Sequence, residues 1–212
     1  MLTVACVLRS GGDFDAEYVE RLCAGVAEHL SIEHRFICLS DVPVPCERIP
    51  LRHDWPGWWA KMELFAPGLA GDVLYFDLDT VINGDLTDIA SVGRLTMLNG
   101  FYDSRKKLGT GQRPVAGTGL MYLTEADRAE IWTSWIKVPV FHMKQYRGDQ
   151  NFIDPIVGHR AARWDVIAPG QVVSYKLNVR PASGAENARA ICFHGKPRPR
   201  DVNWKVKIHA CT

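Results

Sequence analysis

Residues 73–76 read Val-Leu-Tyr-Phe and are followed at once by Asp77-Leu78-Asp79, and no other feature constrains the chain so tightly. Four apolar residues in succession predict a strand covered on both faces, since a half-exposed strand alternates apolar and polar positions. Such a strand belongs to a sheet with helices packed over it, where ligands bind beyond the carboxyl ends of the strands. In an extended segment alternate side chains share a side, so Asp77 and Asp79 are expected to reach one ion while Leu78 packs away from it. Two carboxylates with open positions beside them suit Mg²⁺ or Mn²⁺, hard cations that keep sites free for phosphate oxygens. An isolated Asp-x-Asp is more often a solvated turn; the apolar residues on both sides, including Val81-Ile82, favour a site here.

The flanking sequence extends the pattern. Thr3–Leu8 reads as a second buried strand followed by the turn Ser10-Gly11-Gly12, and Tyr18, Val19, Leu22, Val26 and Leu30 recur at helical spacing behind a cap at Asp13 or Asp15. Arg35–Leu39 is a further strand, Cys46–Leu51 a short one, and Trp58–Phe65 a helix stopped by Pro67-Gly68. Beyond the aspartates, Arg94–Leu98 and Gly119–Leu123 are expected strands separated by a mobile, Gly- and Lys-rich surface loop, Ser104–Gly117. Glu125–Ile136 is expected to be helical, Gln150–Val157 a shorter helix or turn, and Ala190–Phe193 a last buried strand. Strands alternating with helices imply an α/β fold with a mostly parallel central sheet, read as one domain over residues 1–212.

Composition excludes several classes. A chain of 212 residues that is 47% hydrophobic and 23% charged has ample material for a core and lacks the signature of disorder. No apolar run approaches the ~20 residues that span a bilayer, and the start shows neither a basic leader nor a cleavage site, so a cytoplasmic protein without a transmembrane segment is expected. The six cysteines form no CxxC pair, which favours reduced thiols over zinc or disulfides. Net charge is uneven. Residues 1–95 carry seven Lys/Arg against fifteen Asp/Glu, a net of −8, while residues 96–212 carry eighteen against nine, a net of +9. Arg198, Arg200, Lys205 and Lys207, with Trp204 among them and Arg105, Lys106 and Lys107 in the loop, read either as a solvated tail or as a surface for an anionic partner: a phosphorylated glycan, a lipid headgroup or a modified nucleic acid.

The residues also carry a family resemblance. Trp59-Ala60-Lys61-Met62-Glu63-Leu64-Phe65 ahead of Val73–Ile82, then Gly148-Asp149-Gln150, then Phe193-His194-Gly195-Lys196-Pro197, resemble in order the motifs of the retaining GT-A glycosyltransferases related to glycogenin and the bacterial lipopolysaccharide galactosyltransferases. The resemblance runs from about Thr3 to Trp204. It implies a GT-A, Rossmann-like domain with a nucleotide-binding half over about 1–95 and an acceptor half over about 96–212. It also implies transfer of a sugar from a nucleotide sugar, by default a UDP-sugar, with retention. Asp77, Asp79 and His194 would then hold the divalent metal, and Asp149 and Gln150 would position the sugars as catalytic residues. Leu8, Ser10, Gly11, Lys61, Leu78, Gly195 and Lys196 would join Asp77, Asp79 and His194 in binding the donor. The chain departs from the family in placing one glycine between His194 and Lys196, and Arg200 near the position of a family tryptophan.

Two other readings compete. Asp77-Leu78-Asp79-Thr80-Val81 also fits the first motif of haloacid-dehalogenase-type phosphatases, with Asp77 as nucleophile and Asp149 and Asp154 as the last acidic motif. That motif normally sits on a domain's first strand, whereas a strand, helix and strand precede it here. A nucleotide-sugar-binding protein without catalysis would leave Asp149-Gln150 without a role. His29, His34, His53, His142, His159 and His209 have no ligand-like spacing and read as structural; Trp55, Trp58 and Trp59 read as core, with Trp58 beside Gly57 able to stack on a sugar. Ser174-Tyr175-Lys176 is a site candidate only because the resemblance extends through it.

Overall fold

A computed structural model of the chain describes residues 1–100, 113–181 and 185–204. The strands are β1 (Leu2–Leu8), β2 (His34–Ser40), β3 (Glu47–Pro50), β4 (Val73–Phe76), β5 (Thr80–Ile82), β6 (Thr96–Asn99), β7 (Ala116–Leu123), β8 (Ala162–Arg163), β9 (Val172–Ser174) and β10 (Ala190–Cys192). The α-helices are α1 (Ala16–His29), α2 (Thr87–Ala90), α3 (Glu125–Trp135), α4 (Pro139–Gln145), α5 (Asp149–Ile153) and α6 (Trp164–Ile167).

Seven strands form the main sheet in the order β3-β2-β1-β4-β7-β6-β8. Only β7 runs against the others, pairing antiparallel with both β4 and β6. As the unbroken apolar run requires, all four residues of β4 are buried, with β1 on one side and β7 on the other. Helix α1 covers one face with Tyr18, Val19, Leu22 and Val26; Asp15 is its cap, accepting from the Glu17 backbone N–H. The other face is covered by Trp55, Trp59, Met62, Phe65, Ile131, Trp135 and Phe152. Trp55 and Trp59 are thus core, while Trp58 is 60% exposed.

Several expectations shift in detail. Gly57–Phe65 winds as a 3-10 helix, its residues from Trp59 onward buried on every side, Lys61 and Glu63 included. Gln150–Val157 is split between α5 and a π-helical turn, Asp154–Gly158. Strand β7 begins at Ala116, so the end of the expected 104–117 loop is sheet, and residues 104–112 of it lie outside the described residues. A second sheet, β5-β10-β9, is added beside the first, with β10 antiparallel to β5 and parallel to β9. It starts with β5 directly after the Asp77–Asp79 turn and brings β10 and residues 193–195 back to that turn.

The start of β7 is held by a buried carboxylate. Asp154 accepts from the Ala116 backbone N–H at 2.8 Å and from both terminal nitrogens of Arg113. Asp154→Ala would leave that N–H unpaired and is expected to lower stability by about 2–3 kcal/mol, read as a shift in the urea midpoint at unchanged slope.

Candidate active site

The carboxyl edge of the main sheet opens into a cleft of about 660 Å³. Its walls come from the loop after β1 (Ser10 to Phe14), the Asp77–Thr80 turn after β4, the start of β7 (Gly117 to Gly119), the start of α5 (Asp149, Gln150) and the segment after β10 (Phe193 to Gly195, Arg198).

Asp77 and Asp79 are not presented by an extended segment. The Thr80 N–H donates to the Asp77 carbonyl at 3.0 Å, so the chain turns between β4 and β5. The Asp77 N–H donates to the Gly119 carbonyl at 2.7 Å, and a side chain at 119 would meet the Asp77 carboxylate at 3.2 Å, so a glycine there leaves that carboxylate room. Leu78 is buried and also lines the cleft.

A buried lysine organises the floor. Lys61, delivered by the 3-10 helix, sets its ammonium 2.9 Å from Asp77 and 2.8 Å from Asp149, with Thr118 Oγ1 at 3.3 Å. Thr118 donates to Asp149 at 2.6 Å, and the Tyr75 hydroxyl donates to Asp77 at 2.6 Å. Burial would lower the lysine's pKa, but the two carboxylates outweigh it and raise it above its ordinary value. Lys61 therefore stays charged and fixes an aspartate from β4 beside one from α5, residues 72 positions apart in sequence. Tyr75 could have been read from the strand, since it shares a face with Asp77; Thr118 could not, because its place depends on the register of β7.

Asp79 is different. It is 8% exposed, and burial and the charge on Asp77 push its pKa up to about 7 against the opposing pull of Arg198 and Lys61. Arg198 donates to Asp79 and, at 3.2 Å, to Asp13, with its guanidinium 4.7 Å from the centre of the Phe14 ring. The next basic residue, Arg200, pairs with Asp15 and Glu17, and Trp204 packs on Tyr18 at 4.5 Å. The two arginines read as part of an anionic-acceptor surface are thus bound to the acidic first half of this chain; Lys205, Lys207 and Arg105, Lys106 and Lys107 lie outside the described residues.

His194 enters the cleft because the Phe193 N–H donates to the Asp79 carbonyl at 2.9 Å, tying the segment after β10 to the turn. Its Nε2 lies 2.7 Å from Ser174 Oγ, and Lys176 donates to its carbonyl, which gives Ser174 and Lys176 a supporting place. Ser10, whose N–H donates to Asp41 at 2.9 Å, lines the cleft with Gly11, Gln150 and Gly195. Leu8 is buried in the core, one residue from the Val7 and Arg9 that line the cleft. Lys196 is outside the lining: its side chain is 71% exposed, with Asp201 at 4.0 Å. Among the described residues no three His, Cys, Asp or Glu side chains converge as a metal-holding group. Asp77 and Asp79 do fit a hard divalent cation, for each is an oxygen donor and their mutual repulsion is what a cation would relieve.

No protein-family profile and no curated protein sequence matches the chain. Solved structures do. The galactosyltransferase LgtC, in complex with donor and acceptor sugar analogues, superposes with a TM-score of 0.62 at 12% identity over 93% of this chain and 88% of that one. An active-site mutant of LgtC gives 0.63 at 13% over 98% and 91%. The glycosyltransferase GlyE of Streptococcus pneumoniae gives 0.59 at 14% over 95% of this chain, which spans 59% of GlyE. The α/β architecture with its mostly parallel seven-stranded sheet is therefore that of the GT-A glycosyltransferases.

Asp79 also gives the metal-free protein a pH dependence. A carboxyl whose folded pKa lies above its unfolded value contributes stability below the unfolded value, near 4, and loses that contribution as pH rises through about 7. Thermal midpoints measured from pH 4 to 8 in chelator should fall across this window in the wild type, and Asp79→Asn should flatten that part of the profile.

Proposed function

We propose that the chain is a metal-dependent glycosyltransferase that moves a sugar from a nucleotide sugar, a UDP-sugar by family likeness, to an acceptor hydroxyl with retention of configuration. The observation that carries this reading is the convergence, in one cleft at the carboxyl edge of a GT-A sheet, of Asp77 and Asp79 from the β4 turn, Asp149 and Gln150 from α5, and His194 from after β10. The neighbours' names as galactosyl- and glycosyltransferases support it.

Breaking the anomeric C–O bond leaves positive charge on the sugar and negative charge on the diphosphate, and the cleft has groups for each. A divalent cation, Mn²⁺ or Mg²⁺, bound at Asp77 and Asp79 with His194 beside them, would supply charge neutralisation at the diphosphate. Asp149, held at the cleft by Lys61 and Thr118, would accept from sugar hydroxyls and stabilise the cationic sugar, with Gln150 beside it at the cleft wall. The exposed ring of Trp58, at the rim beside Gly148, offers a stacking face for a sugar. Ser10 and Gly11, beyond β1, take the nucleoside side, with Leu8 supporting their loop from the core. We read residues 1–212 as one such domain, acting in the cytoplasm; the buried free thiols of Cys6, Cys38 and Cys192 suit a reducing compartment. No helix among the described residues is long and apolar enough to cross a membrane.

A panel of nucleotide sugars with Mn²⁺, followed for slow donor hydrolysis without acceptor, tests the reading and separates it from a phosphatase and a passive binder. Asp79→Ala should abolish metal-dependent UDP binding by calorimetry while circular dichroism stays unchanged. Asp149→Asn should keep donor affinity within a few-fold but lose roughly 10²-fold in rate, as for a group needed mainly in the transition state. Turnover at the wild-type rate in that variant would remove Asp149 from the chemistry.

A further inference from the structure

Among the described residues of the C-terminal segment, the cation that faces the cleft is Arg198. Lys196, two residues earlier, points into solvent. The Arg198 side chain is only 18% exposed, and its two terminal nitrogens are held by Asp79 and Asp13. Its Nε, by contrast, is buried and has no hydrogen-bond acceptor among the described residues. A buried, charged N–H donor without an acceptor is costly, and it marks a group whose full set of partners is not supplied by the protein in this form. Arg198 also lies against one of the two carboxylates that fit a divalent cation. Its two partners there are Asp79 and Asp13, so a divalent ion that takes Asp79 leaves one arm of the guanidinium and its Nε open to another anion.

We infer that Arg198 exchanges partners as the site loads: it is the counter-ion of Asp79 in the metal-free protein, and when a divalent cation takes Asp79 it turns to the diphosphate of the donor. The inference rests on the glycosyltransferase reading for its second half. A guanidinium suits the exchange because its fork of N–H donors matches a carboxylate and a phosphate equally well, and Nε and one terminal nitrogen together form a bidentate pair for phosphate oxygens. The Arg198–Asp79 contact then keeps the segment after β10 folded over an empty cleft. It also makes metal and nucleotide binding cooperative, since the ion that displaces the arginine releases a diphosphate ligand.

The two halves predict effects of opposite sign. In calorimetric titrations of the full chain with Mn²⁺ alone, Arg198→Ala should bind the ion more tightly than wild type, by about tenfold, because a competing and repelling charge has gone. With UDP titrated at saturating Mn²⁺, the same variant should bind more weakly, by about tenfold or more, through loss of a charged bidentate contact. Arg198→Lys, which keeps the charge and so guards against misfolding as the explanation, should lie between the two in both titrations, and circular dichroism should match wild type. Unchanged or weakened Mn²⁺ affinity in Arg198→Ala, or UDP affinity equal to wild type, would overturn the exchange. A wild type that binds Mn²⁺ but no nucleoside diphosphate would overturn the donor reading itself.

Discussion

The site depends on a lysine that the protein has buried. Lys61 could not remain charged in the core without its two aspartates, and those aspartates, from β4 and α5, would repel one another without it. The three charges are therefore stable only as a set. Thr118 and Tyr75 complete it by donating to the same oxygens that the ammonium contacts, Asp149 Oδ2 and Asp77 Oδ1, so the start of β7 and the end of β4 are both tied to the set. A single ammonium group thus aligns the turn after β4 with the start of α5 across the cleft floor.

A second layer of electrostatics is carried by the C-terminal segment. The excess of acid in the first half of the chain and of base in the second is realised in part as contact between them: Arg198 with Asp13 and Asp79, and Arg200 with Asp15 and Glu17. The Arg200 pairs are partly exposed and individually weak, whereas Arg198–Asp79 is largely buried, and both arginines are anchored by ring contact, with Arg198 over Phe14, Arg200 over Tyr18 and Trp204 against Tyr18. The packing makes the segment part of the cleft wall.

How much of this was legible in the residues follows from what each element depends on. Strand β4 matches its expected limits, because a continuous apolar run ending in two aspartates allows no other assignment; α1 and its cap at Asp15 follow from period and capping chemistry. Asp77, Asp149 and His194, distant in sequence, line one cleft. The antiparallel course of β7 was hidden, since its paired residues lie 17 (Asn99 to Ala116) to 50 (Val73 to Leu123) positions away and local sequence does not encode pairing. The small sheet was hidden for the same reason, its strands being three residues each. The exchange of places between Lys196 and Arg198 was illegible too: both are basic, and only the path of the chain after Gly195 decides which one faces inward.

The hydrogen bond from the Phe193 N–H to the Asp79 carbonyl joins a late segment to an early turn. Every strand of the main sheet lies at or before Arg163, whereas the segment that presents His194 and Arg198 follows it, so the cleft wall is made later than the sheet it adjoins. A chain cut after the main sheet would hold the lysine and its aspartates in a trough that lacks the wall after β10. The cleft is thus walled by residues that follow the whole main sheet in the chain.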